Sequence, residues 1–95
     1  MVEVRETDVF SRWFKSLRDV KAQVRIQTRI NRLTIGLLGD VKFFGGIGEL
    51  RIDYGPGYRI YFVQRGNELI ILLSGGDKAT QERDIKRAID MAKEV

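Results

Sequence analysis

The sequence predicts an α+β domain in the order β-α-α-β-β-β-β-α, an antiparallel sheet with helices mostly on one face. Three observations predict it. Apolar residues recur at helical spacing from Phe10 to Leu37, the period changes to two at Val41, and helical spacing returns after Thr80. The 95 residues, 43% of them hydrophobic, suffice for a single core. No repeat, linker or low-complexity segment divides them, so residues 1–95 are read as one domain.

Val2 to Arg5 alternates and reads as a short strand. Thr7 or Asp8 caps a helix whose apolar face is Phe10, Trp13, Phe14 and Leu17. A second helix is expected over about Val20 to Ile35. Its apolar stripe is Ala22, Ile26, Ile30, Leu33 and Leu37, and a basic stripe of Arg18, Lys21, Arg25, Arg29 and Arg32 runs beside it. Gly36 and Gly39 end that helix. Val41 to Phe44 reads as a strand. Leu50, Ile52 and Tyr54 then alternate with polar residues, as do Tyr58, Ile60 and Phe62 after the turn Gly55-Pro56-Gly57.

If Tyr54 faces Tyr58 across that turn, the apolar residues share one face, while Arg51, Asp53, Arg59, Tyr61 and Arg65 share the other. In that register Asp53 directly opposes Arg59. Leu69 to Leu73 reads as a central strand buried on both faces, broken by Ser74-Gly75-Gly76-Asp77-Lys78. The last helix, Thr80 to about Glu94, packs by Ile85, Ala88, Ile89 and Ala92.

Absent residues narrow the chemistry. Without cysteine there is no disulfide, thiolate nucleophile or thiolate metal site; without histidine there is no His-based triad, imidazole zinc site or His general base. No metal or cofactor is called for. No apolar run is long enough to span a membrane, and the N-terminus opens with charge, so a soluble cytoplasmic chain is expected. The formal net charge is +4, but residues 12–32 hold seven cations against Asp19 alone, so nearly all the positive excess lies in one stretch. That distribution favours an anionic partner.

Three places can carry function. On the sheet, Arg51 and Arg59 with Tyr61 beside them can clamp a phosphodiester, the plain alternative being a solvated face on which Asp53 pairs Arg59. At Ser74 to Thr80, a strand end, a glycine pair and a helix start favour an anion, with Lys78 adding charge; the alternative is a capped tight turn. Along the second helix, Lys21, Arg25, Arg29 and Arg32 can hold a polyanion without sequence preference, or form a solvated face. Proton transfer would fall to Glu49, Asp77, Asp84, Lys78 or a tyrosine. Cationic stabilisation of phosphate is the abundant resource, and it fits a ribonuclease in which the RNA's own 2′-hydroxyl is the nucleophile.

The segments Glu49-Leu50-Arg51-Ile52, Tyr54-Gly55-Pro56-Gly57-Tyr58-Arg59-Ile60-Tyr61-Phe62 and Ser74-Gly75-Gly76-Asp77-Lys78-Ala79-Thr80-Gln81 resemble the HigB-like, phage-related addiction-module killer proteins of the RelE/ParE toxin superfamily. The resemblance spans essentially the whole chain. It implies a toxin of a type II toxin–antitoxin system, neutralised by an antitoxin that is usually a helix-turn-helix DNA-binding protein. It implies an mRNA interferase, an endoribonuclease acting on messenger RNA at the ribosome, with Arg51, Arg59 and Lys78 at the catalytic cation positions. Asp84 stands where many RelE-type toxins carry a tyrosine or histidine. Two other functions stay open: a ParE-like topoisomerase inhibitor that cleaves nothing, and a basic RNA-binding module.

Overall fold

In the computed structural model, which describes residues 1–95, the chain runs β1 (Glu3–Glu6), α1 (Asp8–Ser16), α2 (Val20–Leu33), β2 (Val41–Phe44), β3 (Ile47–Ile52), β4 (Tyr58–Arg65), β5 (Leu69–Asp77), one 3-10 turn (Lys78–Thr80) and α3 (Gln81–Ala92). The element order is the expected one. Each early helix begins where the sequence supplies a cap. The Thr7 hydroxyl accepts from the Phe10 N–H at 3.1 Å, and the Asp19 carboxylate accepts from the Ala22 N–H at 3.2 Å. Gly36, at a φ of 80°, turns the chain out of α2. Because α2 stops at Leu33, Leu37 is outside the apolar stripe assigned to it and is 56% exposed.

The five strands lie in the order β1-β5-β4-β3-β2. The three hairpin-connected pairs are antiparallel, but β1 joins β5 in parallel, so the sheet is mixed and not wholly antiparallel. The intervening chain, including both early helices, gives the long connection that a parallel partner requires. Those helices cover one face. There Phe10, Ile26, Ile30 and Leu33 pack on Leu50, Ile52, Ile60, Phe62, Ile70 and Leu72. Two of the three helices thus share a face, and α3 covers part of the other, over Ile47, Tyr61, Val63 and Leu73.

Two local expectations need correction. The β3–β4 register pairs Arg51 with Arg59 and Ile52 with Tyr58, two residues away from the expected alignment of Tyr54 with Tyr58. A shift of two keeps every side chain on its face, so the arginines still share one side. It removes the opposition of Asp53 to Arg59. Tyr54 leaves the ladder because its hydroxyl donates to Asp19 of α2 at 2.9 Å while Arg25 lies over its ring at 4.7 Å.

The second correction concerns Ser74-Gly75-Gly76-Asp77, which continues β5 instead of breaking it. Neither glycine has a positive φ. Each is needed for space: a Cβ on Gly75 would collide with the Trp13 ring, and one on Gly76 with the Asp84 carboxylate. The β4–β5 ladder slips by one residue between Tyr61 and Phe62, leaving Leu73 as the extra residue of a bulge.

Candidate functional site

The site forms at the end of the sheet that α3 leaves uncovered. Arg51 on β3 and Arg59 on β4 are direct cross-strand partners on that face. Like charges so placed repel, and an anion between them would relieve the repulsion. Arg51 has one loose acidic neighbour, Asp40, whose carboxylate lies 3.7 Å from Nε with both side chains well exposed. Arg59 has none. Its Nη1 donates to the carbonyls of Gly57 (3.3 Å) and Tyr58 (3.4 Å), and its Nε is buried without a partner.

Lys78 joins them from the 3-10 turn. Asp77 Oδ1 accepts from the N–H groups of Ala79 (2.9 Å) and Thr80 (3.2 Å), and the Thr80 hydroxyl accepts from the Asp77 N–H at 3.3 Å. The reciprocal cap fixes where Lys78 leaves the backbone. A Cβ on Gly57 would lie 3.4 Å from Lys78 Cβ and 3.5 Å from Arg59 Nη1, so the hairpin loop and the turn touch. Arg51, Arg59, Lys78, Asp40, Asp53 and the Gly55-Pro56-Gly57 loop line a cleft of about 450 Å³. The three cations assigned from sequence are therefore together. The proposed anion cradle at the turn's own N–H groups is not available, because Asp77 occupies it.

The residues assigned to RNA contact separate. Lys21, Arg25 and Arg32 are exposed on α2. Arg29 is committed to the fold: Nη1 donates to the Arg51 carbonyl at 2.6 Å, and Nη2 to the carbonyls of Leu38 (3.1 Å) and Asp40 (3.3 Å). Burial lowers its pKa from the usual arginine value, with nearby Asp40 opposing that shift. It holds the strand beneath Arg51. A second groove of about 310 Å³, lined by Val24, Arg25, Thr28, Arg29, Arg32, Ile52 and Asp53, adjoins the cleft through Ile52 and Asp53.

Tyr61 is fully buried under α3 and offers no ring to a ligand. The alternating pattern put it correctly beside the arginines on one face, but nothing local showed that α3 would cover that position. Burial, then the charges of Glu49 and Asp84, push its phenol far above the ordinary tyrosine pKa, so it stays protonated. Arg65 is also remote, donating to the Val95 carbonyl at 2.9 Å near the C-terminus.

Two of the carboxylate candidates, Glu49 and Asp84, turn inward. Glu49 is 1% exposed and accepts from Gln81 at 2.8 Å; Asp84 is 6% exposed and accepts from the Thr80 hydroxyl at 2.5 Å. No three acidic side chains converge as a metal site would require. Asp53 is not among the acid/base candidates of the sequence, and the register expected there sets it opposite Arg59. It is exposed on the cleft wall, with no ion-pair or hydrogen-bond partner for its carboxylate.

A family profile described as phage derived protein Gp49-like (DUF891) matches residues 12–95. A relative from Haemophilus influenzae, named only as an uncharacterized protein, is 44% identical over 95 residues, covering 99% of this chain and 96% of its own. No helix is long and apolar enough to cross a membrane.

Proposed function

The chain belongs to the phage-derived Gp49-like family, and from that premise we propose that it is the toxin of a toxin–antitoxin pair, in the HigB-like branch of the RelE/ParE superfamily, and cleaves messenger RNA. The observation that carries this reading is the pair of opposed guanidiniums at Arg51 and Arg59, open to the cleft, with Lys78 beside them. Such an arrangement suits a phosphodiester: each guanidinium can give two parallel N–H bonds to phosphate oxygens, and the lysine adds a mobile point charge.

The reaction supplies its own nucleophile. The 2′-hydroxyl attacks the adjacent phosphorus, the negative charge on the phosphate oxygens rises in the pentavalent transition state, and the three cations stabilise that charge more than the ground state. DNA lacks the hydroxyl and would bind without reacting. Lys21, Arg25 and Arg32, displayed on α2, favour the flanking backbone and ribosomal RNA. An antitoxin with an acidic or amphipathic segment would neutralise the toxin by covering the cleft or the α2 stripe.

The inward-facing Glu49 and Asp84 favour one rival, a non-cleaving inhibitor of a topoisomerase. Expression without an antitoxin, with mapping of RNA 3′ ends, separates the two. New ends inside coding regions are expected. Growth arrest with intact messengers and an inhibited topoisomerase would overturn the ribonuclease reading.

A further inference from the structure

Removing the proton from an attacking 2′-hydroxyl needs an acceptor, and most of the chain's candidates are spent. Glu49 and Asp84 are buried and hydrogen-bonded, Asp77 is taken by two backbone N–H groups, and Tyr61 is buried and protonated. Two carboxylates remain on the cleft wall. Asp40 faces Arg51 Nε. Asp53 has no ion-pair or hydrogen-bond partner, although the cleft it lines also holds Arg51, Arg59 and Lys78, and the adjoining groove Arg25, Arg29 and Arg32.

The turn does not explain Asp53 either. The hydrogen bonds that shape it run between backbone groups, Tyr54 N–H to the Ile52 carbonyl at 2.9 Å and Gly57 N–H to the Tyr54 carbonyl at 3.1 Å. The next residue is fastened, since Tyr54 is held by Asp19 and Arg25, so the base of the Asp53 side chain has a fixed origin. An uncommitted carboxylate in a cationic cleft weakens phosphate affinity, a cost that chemistry at the phosphate would offset.

We infer that Asp53 is the general base of the cleavage, an assignment that rests on the ribonuclease reading above. Its carboxylate takes the 2′-hydroxyl proton as the 2′-oxygen bonds to phosphorus. The bond from phosphorus to the 5′-oxygen breaks, and that oxygen takes a proton from the Lys78 ammonium. The products are a 2′,3′-cyclic phosphate and a 5′-hydroxyl; Asp53 returns its proton to water and Lys78 recovers one from it.

The test is single-turnover cleavage of a ribosome-bound messenger by wild type, Asp53→Asn, Asp53→Glu and Lys78→Ala. Asp53→Asn should lower the maximal rate on the order of 10²- to 10⁴-fold, with half-saturation no higher than wild type, since the charge that repels the phosphate is gone. The other titratable or charged groups that line the cleft and the groove with Asp53 are Asp40, Lys78 and the five arginines named above. Asp53→Glu should recover part of the rate. A messenger with sulfur in place of the scissile 5′-oxygen needs no acid, so it should rescue Lys78→Ala in part, short of its charge on the phosphate, and leave Asp53→Asn slow. Asp53→Asn cleaving at the wild-type rate or faster would overturn the assignment, as would a sulfur-substituted messenger that restores the rate of Asp53→Asn. A wild-type protein that leaves the messenger intact would overturn the ribonuclease reading itself.

Discussion

Replacing Arg59 by alanine should move activity and stability in opposite directions. Arg59 directly opposes Arg51, finds no carboxylate, and buries an Nε without a partner. Cross-strand pairs are worth roughly 0.2–1 kcal/mol, here with an unfavourable sign. A buried unsatisfied donor costs a further ~1–3 kcal/mol. Against these stand the packing of the aliphatic stem and two long hydrogen bonds to the hairpin carbonyls at 3.3 and 3.4 Å. Fold stability is therefore expected to stay within about 1 kcal/mol of wild type, on the stabilised side. On the ribonuclease reading, cleavage would lose one guanidinium from the transition state, about 2–4 kcal/mol or roughly 30- to 1000-fold in rate. Arg59→Lys should restore only part of it, because an ammonium cannot make the planar fork. Urea unfolding read beside single-turnover cleavage gives both numbers on one preparation. A variant destabilised by several kcal/mol would make Arg59 a structural residue, and a stable variant with full activity would remove it from the site.

Gly75→Ala and Gly76→Ala should each cost about 1–3 kcal/mol in urea unfolding, the first by pushing on Trp13 and the second on Asp84; the second should also slow cleavage, since Asp84 holds Thr80 of the turn that carries Lys78. Neutralising Lys21, Arg25 and Arg32 should flatten the salt dependence of RNA or ribosome binding by about one unit of slope per lost phosphate contact and spare the maximal rate. Arg29→Ala should behave differently from those three, lowering the urea midpoint because the Arg51 and Leu38 carbonyls lose a donor and the Asp40 carbonyl keeps only the Arg51 N–H. The Asp19–Tyr54 contact lowers the pKa of Asp19 and raises that of Tyr54. Its stabilisation is present above about pH 4, fades as acid protonates Asp19, and fades again as Tyr54 ionises above about pH 10. Tyr54→Phe should abolish the alkaline loss and weaken the acid one, which the Ala22 N–H on Asp19 keeps in part, in a series of urea midpoints against pH.

The order of elements was legible because the hydrophobic period changes sharply at Val41 and again after Thr80. The faces of Arg51 and Arg59 were legible because a strand's parity survives any slip by two. Their exact partners were not: the contact that draws Tyr54 out of the ladder is with Asp19, thirty-five residues earlier. Gly75 and Gly76 misled for the same reason. Locally they resemble a turn, while the atoms that demand glycine belong to Trp13 and Asp84 on opposite faces of the sheet. The burial of Tyr61 and the commitment of Arg29 also depend on distant elements. The convergence of Arg51, Arg59 and Lys78, by contrast, needs only the hairpin and the return of β5 beside it.

The bulge at Leu73 gives β5 a seam. On the amino-terminal side Leu72 pairs with Phe62, on the other Ser74 pairs with Tyr61, and Leu73 lies between them without a partner of its own. Its side chain fills the core under α3, and its carbonyl accepts from the Thr7 hydroxyl at 2.6 Å. Excising this single codon would thus leave every remaining pair, and the faces of Gly75, Gly76 and Asp77, as they are, while opening a hole beneath α3 and releasing the start of α1. Loss of a codon elsewhere within β5 would throw one side of the strand out of phase with its neighbours. The strand can thus be re-cut at one point without moving Arg51, Arg59 or Lys78 off their faces, and the penalty falls on the scaffold instead of the cleft.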